Sequence, residues 1–282
     1  MIGYVYWADN GNKTPHDVDT AIKVSCSVGT VIGQLLFGYL ADRLGRKRMY
    51  GVELIIIIVG TVGQTLAGNG PAASFWAVIT FWRIILGIGI GGDYPLSSVI
   101  TSEFATTKRR GAMMAAVFAM QGFGQVAASL VGLIATAAAQ NAIHENQQNL
   151  DYVWRVVIGI GALPGVIALY YRLTIPETPR YTMDVEQKIE KGIRDAKAFI
   201  EHGAPAGDYS DNVAVARTET PAIVKASWAD FFHFFSQPRN ARMLFGTAYS
   251  WFALDVAWYG LGLNNSIILK NIGFAGGDDP YT

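Results

Sequence analysis

Runs of about 20 residues with almost no charged side chain recur along this sequence, and no other feature constrains the fold as strongly. An α-helix needs a run of that length to cross about 30 Å of hydrocarbon. Lipid offers backbone groups no hydrogen-bond partners, and the strands of a membrane barrel would alternate apolar and polar residues, so each run is predicted to be a helix. The six predicted spans lie at about residues 21–40, 50–68, 75–102, 112–139, 153–174 and 243–269.

The composition agrees with a polytopic membrane protein. Of the 282 residues, 51% are hydrophobic and only 16% are charged, and the mean hydropathy is +0.26. These values are too apolar for an ordinary soluble domain. The single cysteine, Cys26, lies within a predicted span, so neither a disulfide framework nor a metal site is expected. The expected partner is a lipid bilayer, and no nucleic acid is expected to bind.

Lysine and arginine alternate between the predicted loops, and this alternation predicts the orientation in the membrane. The connections 41–49 and 105–111 are rich in Lys and Arg, whereas 67–74 and 140–151 contain neither. Because basic loops stay on the cytosolic side, 41–49, 105–111 and the charged connection 175–242 are predicted to face the cytosol. The membrane is expected to be the plasma membrane.

The charged connection also divides the chain. Residues 1–174 are predicted to form a first transmembrane group, 175–242 a cytosolic linker with short amphipathic helices, and 243–282 the start of a second group. The linker has too few apolar residues to form a core of its own. Residues 1–7 are too short for a span or a cleavable signal and are predicted to be the end of a helix. We therefore expect the chain to be a fragment that lacks a start and an end.

The basic loop reads "GYLADRLGRKR" from Gly38 to Arg48. Gly38 is predicted to allow close helix contact, Asp42 to cap the next helix or pair with an arginine, and Gly45 to permit a tight reversal. The string fills every position of the pattern G-x-L-A-D-R-x-G-R-K, so it resembles the loop between the second and third helices of the major facilitator superfamily. A second stretch, "PETPRY" at residues 176–181, resembles the sugar-porter signature after the sixth helix. By this resemblance, the loop residues expected to govern conformational change are Gly38, Asp42, Arg43, Gly45 and Arg46.

Two further stretches are similar to a narrower group of transporters. "GGDYPLSSVITSE" at 91–103 resembles the signature of the phosphate:proton symporters, and "WFALDVAWYGLGLNN" at 251–265 is similar to their seventh helix. The likeness extends along essentially the whole chain and points to fungal high-affinity inorganic phosphate permeases. It implies an all-α major facilitator fold of twelve helices in two halves, of which this chain would supply the end of helix 1 through helix 7. We therefore expect that this chain by itself does not transport.

Asp255 places a carboxylate in the middle of a predicted span. Trp251 precedes it by four residues and Tyr259 follows it by four, so all three lie on one helical face. A charge at the bilayer centre costs a few kcal/mol or more, so this face is predicted to line the bundle interior or a wet cavity. We interpret it as a functional site; the alternative is that Asp255 bonds a neighbouring helix while the aromatic residues only pack.

Asp93 lies in another apolar run, shortly before Pro95, where the proline removes a backbone donor and should loosen the helix. The glycines of 87–92 either admit a close partner helix or open a cavity. Arg83 lies ten residues before Asp93, about 15 Å along a straight helix, so the two are not expected to pair directly. Arg83 is predicted to pair with another carboxylate, such as Glu53 or one in the first helix, or to take part in proton coupling.

The resemblance also implies roles for individual residues. Asp93 matches an acidic residue tied to proton movement, and Asp255 and Arg83 are our further candidates for proton coupling. Taken alone, a glutamine in a membrane helix forms a helix-to-helix hydrogen bond as often as it binds a ligand. The residues that match phosphate-contacting positions of the symporters are Tyr94, Gln121, Trp251, Asp255 and Tyr259.

The resemblance implies proton-coupled uptake of inorganic phosphate by alternating access, with protons as the coupling ion and no other cofactor. Another porter of the superfamily, for a sugar or an organic ion, is the first alternative, and a nutrient receptor that binds without transport is the second. A channel is disfavoured because the intramembrane acids are scattered over different helices. An enzyme is disfavoured because no nucleophile and base pairing, metal-ligand cluster or phosphate-binding glycine loop is visible in the sequence.

Overall fold

The computed structural model describes residues 1–71, 73–175, 178 and 228–273, and the regular elements in these ranges are helices. We number the α-helices in chain order; short 3-10 turns lie before α2 and before α7. The α-helices are α1 Ile2–Tyr6, α2 His16–Leu44, α3 Arg46–Thr65, α4 Phe75–Phe104, α5 Arg110–Ala138, α6 Gln140–Glu145, α7 Leu150–Ile160, α8 Ala162–Thr174, α9 Trp228–Ser236, α10 Pro238–Leu263 and α11 Asn265–Asn271.

The chain divides into two compact units, Met1–Arg217 and Thr218–Thr282. Within the described residues, the first unit contains α1 to α8 and the second contains α9 to α11. Apart from Thr178, the stretch 176–227 lies outside the described residues, and with it most of the motif at residues 176–181 and most of the predicted linker.

Each predicted span overlaps a helix or a pair of consecutive helices. The long helices α3 and α10 combine an apolar stretch with charged residues: α3 begins with three basic residues and contains Glu53, and α10 contains Asp255 and two arginines. Several helices extend beyond the apolar runs, as α10 does by beginning at Pro238, because helical hydrogen bonding continues where the side chains become polar. Among the described residues, the four helical segments long and apolar enough to cross a membrane are His16–Leu44, Phe75–Phe104, Arg110–Ala138 and Gln147–Thr174.

Glycines let α2 and α4 approach each other to backbone contact. A Cβ atom added to Gly91 of α4 would overlap the carbonyl oxygen of Thr30 in α2. Small residues at such interfaces are what allow membrane helices to pack this closely. Of the two explanations for the glycines of 87–92, the close partner helix is therefore confirmed. The same overlap with a carbonyl oxygen of the opposite helix arises at Gly29, Gly33 and Gly87.

The helix α4 lies at the centre of the packing in the first unit. It contacts α2, α3 and α5, and α3 in turn contacts α8. On the α3 side, Gly60 lies against Leu86 and Gly89 lies against Ile57. The helix α4 stays helical through Pro95, so the proline does not interrupt it. This packing brings side chains of α3, α4 and α8 together near the end of the unit that carries the loop 41–49, which we call the basic end.

An ion pair with its hydrogen bonds joins helices at the opposite end of the first unit. Arg155 Nε donates to Asp151 Oδ2 at 2.8 Å, and Arg155 Nη1 donates to the carbonyl oxygen of Thr65 at 2.7 Å. Tyr6 donates its hydroxyl to Asp151 Oδ1 at 2.9 Å, and its ring stacks on that of Phe75 with centroids 3.8 Å apart. The network therefore holds α1, the C-terminus of α3, the start of α4 and α7 in place.

Candidate functional site

Two acids and one arginine meet near the basic end of the first unit. Arg172 Nη1 donates to Glu53 Oε1 at 2.8 Å, and Arg172 Nη2 donates to Asp93 Oδ1 at 2.8 Å. Ser97 Oγ donates to Asp93 Oδ1 at 3.0 Å. The guanidinium carbon of Arg172 lies 3.8 Å from the centre of the Tyr50 ring. We call Tyr50, Glu53, Asp93, Ser97 and Arg172 the acid-arginine cluster.

The members of the cluster are buried to different degrees. The side chain of Glu53 is 0% exposed, that of Arg172 is 16% exposed and that of Asp93 is 37% exposed. Charge-assisted hydrogen bonds to the two acids are what make a guanidinium tolerable at such a depth. One cation faces two carboxylates, so the cluster carries one excess negative charge when both acids are ionised and none when one of them binds a proton. Chemically, the arrangement can take up and release one proton.

The structure corrects one prediction for Arg83. Glu53 is paired with Arg172 and not with Arg83. The Arg83 Nε atom is buried and has no hydrogen-bond partner among the described residues. As expected from its distance along α4, Arg83 is not the partner of Asp93, which bonds Arg172 and Ser97 instead. A role of Arg83 in proton coupling stays a prediction.

Sequence reasoning missed three members of the cluster, and the charged one among them is Arg172; the others are Tyr50 and Ser97. A signal for Arg172 exists, because a basic side chain near the end of the apolar run 153–174 needs a partner. The identity of its partners was not accessible, since Glu53 and Asp93 lie 119 and 79 residues away along the chain. Only the packing of α8 against α3, and of α3 against α4, brings the three side chains together.

Tyr94 and Gln121, two predicted phosphate-contacting residues, lie next to each other. Gln121 Nε2 donates to the Tyr94 hydroxyl at 3.5 Å, so the contact joins α4 to α5. Tyr94 is half-buried and Gln121 is exposed. Asp93 immediately precedes Tyr94 on α4, so the acid-arginine cluster and the contact to Gln121 of α5 use consecutive residues of one helix. Consecutive side chains of a helix point about 100° apart, so the two sets of contacts leave α4 in different directions.

The other predicted phosphate-contacting residues belong to the second unit. Trp251, Asp255 and Tyr259 lie within the uninterrupted helix α10, so their spacing of four residues puts them on one face, as predicted. All three side chains are exposed in the described structure, Trp251 to 47% and Tyr259 to 39%. A carboxylate, an indole N–H and a phenol therefore line up along about two turns of helix.

The basic loop connects α2 to α3 through a single residue, Gly45. Its φ of 100° and ψ of 144° lie in a region that side chains strongly disfavour, so the predicted tight reversal is confirmed. Asp42 Oδ1 lies 3.2 Å from Arg46 Nη2, and the N-terminus of α3 has no side-chain cap, so Asp42 pairs with an arginine instead of capping. Arg46 Nη2 also lies 3.5 Å from Glu103 Oε1 at the end of α4. The loop is thereby attached to α4.

Gly38 does not have the predicted role. A Cβ atom added there would meet nothing within 4 Å in the described structure, so the predicted close helix contact at this position is wrong. The close backbone approach of α2 to α4 occurs at Gly29 and Gly33 instead. Gly38 borders a cavity of about 240 Å³ together with Asp42 and Arg46.

The remaining residue of the loop motif, Arg43, lies with its guanidinium carbon 4.9 Å from the centre of the Tyr39 ring.

Replacing Gly45 with alanine is expected to lower the stability of the protein. A side chain in this backbone region costs about 1–3 kcal/mol. The measurement is the midpoint of thermal unfolding in detergent, compared with that of the unmodified protein. Gly38→Ala is the matched control in the same loop motif, because its Cβ meets nothing within 4 Å. Equal midpoints for the two variants would contradict the strained reversal.

Comparison with known proteins identifies similar membrane transporters. Residues 4–264 match the family described as Sugar (and other) transporter. The repressible high-affinity phosphate permease of Neurospora crassa is 51% identical over 98% of this chain and 50% of its own length. The inorganic phosphate transporter PHO84 of Saccharomyces cerevisiae is 47% identical over 100% of this chain and 50% of its own length. The chain thus spans about half the length of the curated relatives that it matches.

Solved structures with a similar fold include the proton:xylose symporter XylE, a major facilitator protein, bound to 6-bromo-6-deoxy-D-glucose. It has a TM-score of 0.55 and 22% identity, and the match covers 66% of this chain and 42% of that chain. XylE from E. coli in a partially occluded inward-open conformation has a TM-score of 0.55 and 20% identity, covering 68% of this chain and 51% of that chain. With the family match over most of its length, the protein belongs to the sugar (and other) transporter family and is an integral membrane protein with the major facilitator fold.

Proposed function

We propose that the protein takes up inorganic phosphate together with protons, as a secondary active transporter that works by alternating access. The observation that carries this proposal is the 51% identity, over 98% of the chain, to a protein named a phosphate permease. The proposal places the protein in the plasma membrane, with residues 41–49, 105–111 and 175–242 in the cytosol. Protons are the coupling ion; no other cofactor takes part, and nucleic acid is not a partner.

The proposed phosphate contacts are hydrogen-bond donors that suit an anion. Phenol, amide and indole groups donate to phosphate oxygens without adding charge to an apolar site. Tyr94 and Gln121 support this assignment because they already lie beside each other across α4 and α5. Trp251, Asp255 and Tyr259 support it by sharing one face of α10.

Proton coupling follows from the charge of Asp255. An ionised carboxylate would repel a phosphate anion in a site of low dielectric constant, whereas a protonated one donates a hydrogen bond to it. Proton binding and phosphate binding therefore favour each other, and the loss of one promotes the loss of the other, which is symport. Asp93 is proposed to relay the proton, since it bonds Arg172 in the acid-arginine cluster and comes immediately before Tyr94 on α4. Arg83, earlier on α4, is retained as a further proton-coupling candidate.

Sugar transport is the competing proposal, because the matched family includes sugar transporters and the similar solved structures bind sugars or their analogues. A competition assay separates the two. Uptake of labelled phosphate by the full-length protein in proteoliposomes is measured with an excess of arsenate, sulfate or glucose. Phosphate transport predicts strong competition by arsenate and little by sulfate or glucose. Competition by glucose alone, or labelled glucose uptake without phosphate uptake, would overturn the proposal, and binding without flux would indicate a receptor.

Tyr94→Phe is expected to weaken phosphate binding while the protein stays folded. The change removes only the hydroxyl, and a hydrogen bond to a charged group contributes about 1.5–3 kcal/mol, so the KM for phosphate should rise about tenfold or more. The KM is measured from initial rates of labelled phosphate uptake. Tyr152→Phe is the matched control, since Tyr152 is 69% exposed at the opposite end of the unit. An unchanged KM for Tyr94→Phe would remove Tyr94 from the phosphate site.

A further inference from the structure

Arg172 is the only member of the acid-arginine cluster with a fixed positive charge. A guanidinium is a permanent cation in proteins, whereas a carboxylate can bind and release a proton. The two bonds leave from different nitrogens, Nη1 to Glu53 and Nη2 to Asp93, both at 2.8 Å. One guanidinium therefore sets the separation and the orientation of the two acids at the same time.

The position of Arg172 is itself held by the surrounding side chains. The Tyr50 ring lies 3.8 Å from the guanidinium carbon, and the Tyr50 carbonyl oxygen accepts from Nη1 at 3.4 Å. The Tyr50 hydroxyl lies 3.4 Å from Ser97 Oγ, and Ser97 donates its one proton to Asp93 at 3.0 Å. Arg172, Tyr50 and Asp93, together with Ser97, thus form a closed ring of contacts.

The charged and polar groups around Asp93 come from α3, α4 itself and α8, and α2 packs against its neighbour Gly92. From α3 come Tyr50 and Glu53, and from α8 comes Arg172. The α2 side contributes the ring of Phe37, which lies against Gly92. Among these neighbours Arg172 is the cation, so it is the group that stabilises the ionised state of both acids. A cation within about 4–6 Å of a carboxylate changes its affinity for a proton by a factor of about 10 to 1000.

We propose that Arg172 is a positioning residue for proton release, which holds Asp93 and Glu53 side by side so that the pair gives up its proton once phosphate has left. This inference rests on the proposed proton-coupled function. Without the guanidinium, the second acid would have to ionise beside a carboxylate with no counter-charge, and the pair would keep its proton. Net uptake needs that release in every cycle, whereas exchange of phosphate for phosphate does not. Loss of Arg172 should therefore lower net uptake of phosphate while exchange of phosphate for phosphate continues.

The test compares the two modes in proteoliposomes that contain the full-length protein. Net uptake is driven by an inward proton gradient, and exchange is measured with equal phosphate on both sides and label on one. Arg172→Gln is expected to lower net uptake by at least about tenfold, from the effect of a nearby cation on proton affinity. Exchange should stay within about twofold of the unmodified rate, because binding and reorientation of the loaded carrier are preserved. Arg172→Lys keeps the positive charge but cannot donate to both acids from two fixed nitrogens. Its net uptake should therefore lie between that of the unmodified protein and that of Arg172→Gln.

The control is Arg155→Gln, which breaks the ion pair with Asp151 at the opposite end of the same unit. It should change net uptake and exchange in parallel. Parallel loss of both modes in the two Arg172 variants, or unchanged net uptake in Arg172→Gln, would overturn the inference. Failure of both Arg172 variants to reach the membrane would also overturn it, because Arg172 would then be needed for folding. If the unmodified protein moves no phosphate in either mode, the proposed function fails, and this inference fails with it.

Discussion

Gly91→Ala is expected to leave little folded protein in the membrane. The added methyl group would overlap the Thr30 carbonyl oxygen and lie 2.9 Å from the Gln34 nitrogen, and both are backbone atoms of α2. Neither can move without separating α2 from α4, where Gly29, Gly33 and Gly87 are packed equally closely. Overpacking that forces side chains or backbone to shift costs about 1–3 kcal/mol and occasionally more, and here the obstructing atoms are backbone on an interface with three further close glycines. The measurements are the yield of monodisperse protein in detergent and its midpoint of thermal unfolding.

Gly132→Ala is the matched control for this effect. It adds the same methyl group to another membrane helix, α5, at a position where a Cβ atom meets nothing within 4 Å in the described structure. The control should keep the yield and the midpoint of the unmodified protein. A Gly91→Ala protein as stable as the Gly132→Ala protein would show that α2 and α4 are not packed through their backbones.

Asp255→Asn is expected to abolish the accumulation of phosphate against its gradient. Asparagine still donates a hydrogen bond to an anion, as a protonated aspartate does, but it neither binds nor releases a proton. Phosphate should therefore still exchange across the membrane, while a proton gradient no longer drives it inward. The measurement is the ratio of labelled phosphate inside and outside proteoliposomes at steady state, which should fall to about unity, the value that linkage requires without coupling.

The control for Asp255→Asn is the same substitution at Asp230 in α9, before the membrane helix α10 begins. Asp230→Asn should accumulate phosphate as the unmodified protein does. Proton-driven accumulation by Asp255→Asn, with an unchanged pH optimum, would rule out the proton role of Asp255. Loss of both accumulation and exchange would show that the carboxylate is needed for binding itself.

The helices and the reversal at Gly45 are predictable because they depend on local chemistry. Membrane-spanning segments require apolar runs of a minimum length, and the sequence contains them where the helices lie. A reversal between two helices within one residue requires a glycine, and Gly45 stands at that point with a φ of 100°. The shared face of Trp251 and Asp255 likewise follows from helical spacing alone.

Interactions between distant helices are the part that local chemistry does not determine. Glu53 could be recognised as an acid in need of a cation, but its partner is Arg172 on α8 and not Arg83 on α4. The role of Gly38 was wrong for a related reason. A glycine in a helix is compatible with close contact and with open space, and only the path of the neighbouring helix decides between them. Tyr94 and Gln121 were each predicted to contact phosphate, from resemblance, but the hydrogen bond between them depends on the packing of α4 against α5 and was not predicted.

Proton-coupled phosphate transport is tested most directly by phosphate accumulation in proteoliposomes that contain the full-length protein, under an imposed inward proton gradient. Labelled phosphate should rise above its external concentration, and this excess should disappear when a protonophore dissipates the gradient. Phosphate that only equilibrates across the membrane, or that accumulates equally with and without the protonophore, would contradict proton-coupled phosphate transport.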